Sequence, residues 1–201
     1  MKRIILYTFG AILLATALVS CEKELMNYTG KDGIYFDTDG MIDDTVSVHW
    51  GLKNSDVTEQ TIDLKVLLIG NVADHDRSFN VEVVTREGDD SAAIEGIHYE
   101  PIAKQHTIKA GEAETTISVK LKRSADIQNK PVRFAIKLVE NDELAFIYTR
   151  YGSQIVNDTT VESRALDYQR AIYIDENFPI PTWWSYYGVQ YFGTWSMKKA
   201  I

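Results

Sequence analysis

The residues best suited to bind a ligand lie near the C-terminal end of the chain, where seven aromatic side chains fall within thirteen positions. Indole and phenol rings can stack on the apolar faces of sugars, and the same rings are frequent anchors of protein interfaces. A third interpretation is that the rings belong to the domain's own core. All three interpretations stay open at this stage, and the candidate binding residues are Trp183, Trp184, Tyr186, Tyr187, Tyr191 and Trp195.

No local pattern indicates catalysis. The sequence has no HExxH, GxSxG, Walker or GxGxxG motif, and its four histidines show no spacing typical of metal ligands. We therefore predict that the protein is not an enzyme and has no cofactor. A polysaccharide hydrolase is a less favoured alternative, because its two carboxylates come together in space rather than in sequence.

We considered two acidic clusters as metal-binding sites, and neither has a suitable arrangement of ligands. Aspartates surround Gly40, but the glycine comes too early for an EF-hand loop and no bidentate glutamate follows at the twelfth position. The triplet Asp74, His75 and Asp76 has neighbouring side chains that point in opposite directions on a strand. A solvated turn and a loop tip are favoured, and we predict no metal site. The aspartates of the first cluster are Asp37, Asp39, Asp43 and Asp44.

The N-terminus carries an export and lipidation signal. Lys2 and Arg3 precede an apolar run that ends in Leu18-Val19-Ser20-Cys21. Sixteen helical residues span only about 24 Å, too short for the hydrocarbon core of a bilayer, so a cleaved signal fits better than a membrane span. The aliphatic and small residues before the cysteine form a bacterial lipobox. We predict that Cys21, the only cysteine, becomes the lipid anchor of the mature protein.

The charge balance excludes one class of partner. The 29 acidic residues outnumber the 21 basic ones, and the net charge is −8. Removal of Lys2 and Arg3 with the signal makes the mature chain more acidic still. Nucleic acid, whose phosphates attract clustered Lys and Arg, is therefore not an expected partner.

The elements that must position the aromatic residues are strands. Apolar and polar residues alternate with a period of two in several runs between residues 33 and 138, and Gly- and Asp-rich turns separate these runs. This pattern predicts an all-β, Ig-like antiparallel sandwich followed by an irregular, aromatic-rich C-terminal segment. Further strands are predicted at 146–148 and 171–174, around a polar loop.

The predicted organisation has four parts. Residues 1–20 are the signal peptide, residues 21–30 a lipidated tether, and residues 31–142 the β-sandwich. Residues 143–201 are a C-terminal extension. Ser196 could cap a helix that starts at Met197, but only one turn would fit before Ile201, so we expect the native chain to continue.

Residues 81–141 resemble the second half of a Calx-β-type sandwich. The resemblance rests on the run from Ala92 to Pro101, on Ala110-Gly111-Glu112 before an alternating strand, and on the closing strand Phe134–Leu138. It implies the fold. Calx-β domains also bind calcium through acidic side chains, but of those positions only Glu95 is acidic here, so the resemblance does not carry the metal over.

The whole chain resembles a family of Bacteroidetes surface lipoproteins encoded beside outer-membrane importers of the starch-utilisation type. The carrying features are the lipobox, Tyr28–Phe36, Glu95–Pro101, Trp184 and Gly193–Lys198. The resemblance implies a lipid-anchored protein of the outer membrane, exposed at the cell surface. Its implied partners are a transporter and the transporter's partner lipoprotein.

These features combine into one leading expectation. We expect a non-catalytic accessory module that binds a glycan or another nutrient for an uptake complex. The alternative is a structural or adhesive lipoprotein that uses the aromatic segment as a protein interface.

Overall fold

In a computed structural model of the chain, the alternating runs become strands of two facing sheets. The structure describes residues 30–38, 45–85, 88–147, 149–156, 160–165 and 167–196. Lys31–Ile201 forms one compact unit. Among the described residues, no helix is long and apolar enough to cross a membrane. The predicted signal, Cys21 and all of the acidic cluster around Gly40 except Asp37 lie outside these residues.

One sheet has four strands, which are β1 Asp32–Phe36, β3 Glu59–Ile69, β6 Glu114–Lys122 and β8 Leu144–Ala145. The other sheet has five strands, which are β2 Thr45–His49, β4 Arg77–Val84, β5 Gln105–Ile108, β7 Val132–Val139 and β11 Gln169–Asp175. The strand order is β6-β3-β1-β8 in the first sheet and β2-β11-β7-β4-β5 in the second. Most neighbours are antiparallel, as predicted, whereas β1–β8 and β2–β11 are parallel pairs.

Apolar and polar residues alternate along the strands because each strand turns one face to the other sheet. On β6, Ile117, Val119 and Leu121 are buried, while the residues between them face outward. Trp50 lies in a short 3₁₀ turn directly after β2 and is fully buried. The core lies between the sheets, and the all-β sandwich prediction is confirmed.

The sandwich extends past the boundary predicted at residue 142. Strand β11 lies between β2 and β7, and its Ile172 and Ile174 are fully buried in the core. Strand β8 pairs with β1. The boundary at 142 therefore has to be corrected, because residues after 142 complete both sheets and, among the described residues, β2 pairs only with β11.

Three further elements differ from the sequence prediction. A β-hairpin, β9 Tyr151–Val156 with β10 Thr160–Ala165, occupies the stretch predicted to be a polar loop. Of the strand predicted at 146–148, the described residues 146 and 147 lie outside any strand and follow directly on the two-residue β8. There, the ring of Phe146 stacks on that of Tyr168, with centroids 3.7 Å apart. A one-and-a-half-turn helix, α1, spans Gly188–Phe192.

The two ends of the sandwich are distinguishable by the strands that begin and finish there. Strand β1 begins beside the last residue of β3, where Gly33 pairs with Ile69. At the other end, β3 begins beside Lys122, and Arg123 forms an ion pair with Glu176, just after β11. Eleven residues of β3 place these ends about 33 Å apart. The chain therefore enters at one end and continues into the aromatic segment from the other.

Candidate functional site

The aromatic segment, residues 180–196, is built from two short helical turns. Proline at 179 and 181 stiffens the chain before a 3₁₀ turn over Thr182–Ser185. The backbone N–H of Trp184 donates to the carbonyl of Pro181 at 2.8 Å, and the turn leads into α1. Gly193, with a φ of 74°, ends α1 in the left-handed conformation that glycine tolerates best.

Trp184 is the centre of this segment. Its side chain is only 6% exposed, and its indole N–H donates to the carbonyl of Gly193 at 3.1 Å. The ring of Trp195 meets it edge-on, with centroids 4.7 Å apart, and Phe192 and Trp183 lie against it at 5.8 and 5.4 Å. Trp184 thus fixes the two turns and the chain after them to one another.

Gly188 allows this packing. A Cβ atom added at position 188 would lie 2.4 Å from the Trp184 ring, closer than van der Waals contact permits. The first residue of α1 is therefore a glycine because the indole ring occupies the space that any side chain would need. The packing of the aromatic segment depends on this one close approach.

Four of the predicted binding rings are open to solvent. Trp183, Tyr186, Tyr187 and Tyr191 are all exposed, Tyr186 the most at 77%. Exposed rings of this kind, with phenol hydroxyls at their rims, can stack on apolar ligand faces and also donate hydrogen bonds. They are the part of the segment that a ligand can reach.

The other two predicted binding residues have a different position. Trp184 has no face available to a ligand, because its neighbours in the segment cover it. Trp195 is half-buried with its ring against Trp184. In the structure both rings hold the segment together, and a contact of either ring with a ligand stays a prediction.

Aliphatic and aromatic side chains without polar groups are exposed in the same segment. Ile180, Val189 and Phe192 are 60%, 49% and 61% exposed, respectively. Monomeric proteins seldom expose a cluster of large apolar side chains without an interaction to cover it. We refer to the seven exposed side chains together as the aromatic surface; they are Ile180, Trp183, Tyr186, Tyr187, Val189, Tyr191 and Phe192.

Two histidine–aspartate pairs were not detectable in the sequence. Nδ1 of His49 lies 2.8 Å from Oδ1 of Asp175, whose carboxylate also accepts the backbone and side-chain N–H groups of Asn177. His98 is buried, accepts the backbone N–H of Ile94 at Nδ1, and lies 2.9 Å from Asp126 through Nε2. Because a backbone N–H can only donate, Nδ1 of His98 is unprotonated and Nε2 carries the proton.

These pairs are explained by the fold. The His49 pair joins β2 to the end of β11, and the His98 pair joins the loop before β5 to the 3₁₀ turn before β7. Partners 126 and 28 residues apart cannot be found by spacing. Among the described residues, no serine, threonine or cysteine side chain is hydrogen-bonded to either imidazole; the Ser124 hydroxyl donates to the Asp126 carboxylate instead.

The acidic triplet of residues 74–76 lies in the loop between β3 and β4. Nδ1 of His75 lies 3.0 Å from Oδ1 of Asp74, and this hydrogen bond lowers the pKa of Asp74 and raises that of His75. Asp76 instead binds Lys109. In the part of the chain that the structure describes, no three His, Cys, Asp or Glu side chains come together as a metal site.

The fold and the exposed rings define a class of protein, a β-sandwich domain that carries an aromatic surface at one end. The match to a family model is more specific. Residues 28–200 match the model of the domain of unknown function DUF4843, and the chain belongs to that family.

Comparison with solved structures finds distant similarity. The apo form of the Calx CBD1 domain is 13% identical with a TM-score of 0.47, and the match covers 74% of this chain and all of that one. A Bacteroides ovatus protein provisionally described as carbohydrate binding is 8% identical with a TM-score of 0.46; the match covers 74% of this chain and 38% of that one. A Bacteroides ovatus protein of unknown function is 14% identical, with a TM-score of 0.40 and coverages of 67% and 53%. No curated protein matches the chain.

Proposed function

We propose that the protein is a non-catalytic, lipid-anchored module of the outer-membrane surface that binds a glycan or another nutrient for an uptake complex through its aromatic surface. The observation that carries the proposal is the exposure of four rings around one buried tryptophan. A ring that is held in place and exposed loses little conformational freedom on binding, so its stacking energy is retained in the affinity.

Binding to polysaccharides tests this function. We expect the purified mature chain to be retarded in native gels that contain the polysaccharide it recognises. Trp183→Ala and Tyr186→Ala should each weaken binding about tenfold or more, by loss of the stacking surface that the ring provides. Leu52→Ala is the matched control, because Leu52 is an equally exposed apolar residue in the sandwich itself.

If the polysaccharide retarded both ring variants as strongly as it retards the Leu52→Ala control, the proposal would be contradicted. Absence of binding to every polysaccharide tested would contradict it too. The folded state of each variant is verified by the circular dichroism of the sandwich. Turnover of a polysaccharide would instead favour the hydrolase alternative.

The anchor is tested separately. Replacement Cys21→Ala should release the protein from the membrane fraction and abolish labelling by radioactive palmitate. A protein that stays with the outer membrane without its cysteine would contradict the predicted anchor.

An adhesive or structural module is the second candidate. It is favoured by one observation, the exposure of Ile180, Val189 and Phe192 among the rings, since saccharides make little use of aliphatic side chains. Affinity purification from gently solubilised outer membranes distinguishes the two. A transporter and its partner lipoprotein in fixed ratio would support the uptake module, and another stoichiometric protein would support adhesion.

A further inference from the structure

A groove of about 670 Å³ lies along the outer edge of the five-stranded sheet. Strand β5 pairs only with Arg77–Asn80 of β4, and the last backbone bond between the two segments runs from the N–H of Val81 to the carbonyl of Lys104 at 2.9 Å. On its other side, β4 stays paired with β7 as far as Val84. The second half of β4 therefore has one neighbour and one open edge.

The open edge presents a pair of backbone groups. Successive residues of an antiparallel strand turn their N–H and C=O groups to opposite sides. Because the N–H of Val81 points towards Lys104, the N–H and C=O of Val83 point to the same side. Within the described ranges, no backbone group is bonded to them, so Val83 offers one donor and one acceptor to the groove.

The side chains along the groove combine apolar surface with charge. Val83 is 37% exposed and Ile102 packs on the core beside it. Glu82, Glu95 and Lys104 also line the groove, and none of the three forms an ion pair within the described part of the chain. The groove thus carries two carboxylates and one ammonium group that form no ion pair, and Lys137 of β7 lies directly opposite Glu82 on the neighbouring strand.

We propose that this groove binds an extended peptide segment of another protein, which adds to the sheet at Val83 and places a Lys or Arg side chain beside Glu82 and Glu95. An extended polypeptide has an N–H and a C=O at the spacing that Val83 presents, which a sugar does not. The unpaired carboxylates select a basic side chain, and Lys104 attracts an acidic residue or the C-terminal carboxylate of the same peptide. This proposal goes beyond the proposed function and does not depend on the aromatic surface.

Selection from a displayed library of random dodecapeptides on the purified mature chain tests the proposal. We expect enrichment of sequences with alternating apolar residues and one Lys or Arg. The probe is then the most enriched peptide, synthesised with capped ends. On its addition, hydrogen exchange of the Val83 amide should slow at least tenfold, because the added strand accepts a hydrogen bond from it.

Two sets of variants separate the backbone contribution from the charge contribution. Val83→Pro removes the outward N–H without removing a bond of the β4–β7 ladder, and it should weaken peptide binding about tenfold. Val83→Thr keeps both the N–H and the side-chain shape and should bind as the wild type does. Glu82→Gln and Glu95→Gln should each weaken binding up to about fivefold, whereas Glu112→Gln, in an exposed turn outside the groove, should not.

The outcomes either support or overturn the proposal. Slow exchange of the Val83 amide with the probe supports it even if Val83→Pro does not fold. A library without enrichment overturns it, as does a probe that binds while exchange of the Val83 amide is unchanged. Equal binding of a probe with its Lys replaced by Glu overturns the assignment of a basic residue. Slow exchange caused by an oligosaccharide and not by the peptide overturns the choice of partner.

Discussion

Replacement Gly188→Ala gives the sharpest test of how the aromatic surface is held. Gly188 begins α1, and the Trp184 ring occupies the place of its missing side chain, with ring atoms 2.4, 2.6 and 2.8 Å from an added Cβ. Alanine normally stabilises an exposed helix by about 0.5–1 kcal/mol relative to glycine. Helix propensity and packing therefore predict opposite effects of this substitution on the stability of the segment.

The magnitude follows from what Trp184 loses. The ring has to move, and forcing one added methyl group into a packed site costs about 1–3 kcal/mol, with the upper part of that range expected for a contact this short. Movement also strains the bond from the indole N–H to Gly193. After subtraction of the propensity gain, we expect the packed form of the segment to be destabilised by about 2 kcal/mol, which is roughly a thirtyfold change in its population.

Hydrogen exchange of the indole N–H groups measures this population. The Trp184 indole should exchange about thirtyfold faster in Gly188→Ala, while that of Trp50, buried in the sandwich core, should not change. Gly111→Ala is the matched control. Gly111 has a φ of 80° with open space around an added Cβ, so alanine there should destabilise the sandwich by about 1–2 kcal/mol and leave the segment alone. Slower exchange of Trp184 in Gly188→Ala would refute the packing described for the segment.

Three further predictions concern the sandwich. His98→Phe should lower the free energy of unfolding in urea by about 1–3 kcal/mol, because the backbone N–H of Ile94 loses its acceptor; an unchanged value would contradict this role. Asp32→Ala should lower the free energy of unfolding by about 3 kcal/mol or more, because the guanidinium of buried Arg77 loses its carboxylate partner. A smaller loss of stability than in the exposed variant Asp63→Ala would contradict this role of Asp32. The Ser124 hydroxyl, and then His98, lower the pKa of Asp126 below its ordinary value of 3.8. This carboxylate therefore stabilises the fold above that value and loses its contribution as the pH falls through the lowered pKa. The difference in free energy of unfolding between wild type and Asp126→Asn should therefore shrink as the pH falls from about 5 to strongly acid values. A difference that grows on acidification would be evidence against this role of Asp126.

The strands of the sandwich were predictable because burial of one face leaves a period of two. The run Ile117, Val119 and Leu121 alternates with polar residues, and its strand is found where the alternation predicts it. Strand β5 was missed because four residues with a single buried position, Ile108, give no period. The hairpin of β9 and β10 was missed because its residues are mostly polar and read as a loop.

The candidate site was predictable in composition but not in geometry. A dense run of aromatic residues indicates a site or a core equally well, and only the three-dimensional packing separates buried Trp184 from exposed Tyr186. Helix α1 was missed because glycine, valine and aromatic residues are weak helix formers. The pair of His98 and Asp126 joins distant loops, and no local pattern contains that information.

We propose that the aromatic surface binds the ligand while Trp184 only positions the exposed rings. Hydroxyl-radical footprinting of the anchored protein on intact cells tests this assignment. The labelling is compared in the presence and absence of the polysaccharide that retards the protein in native gels. We predict that Trp183, Tyr186 and Tyr191 are labelled without the polysaccharide and protected with it, and that Trp184 is not labelled in either state. Exposed rings that are equally reactive with and without the polysaccharide would contradict binding through the aromatic surface. A Trp184 ring as reactive as that of Tyr186 would contradict its buried, positioning role.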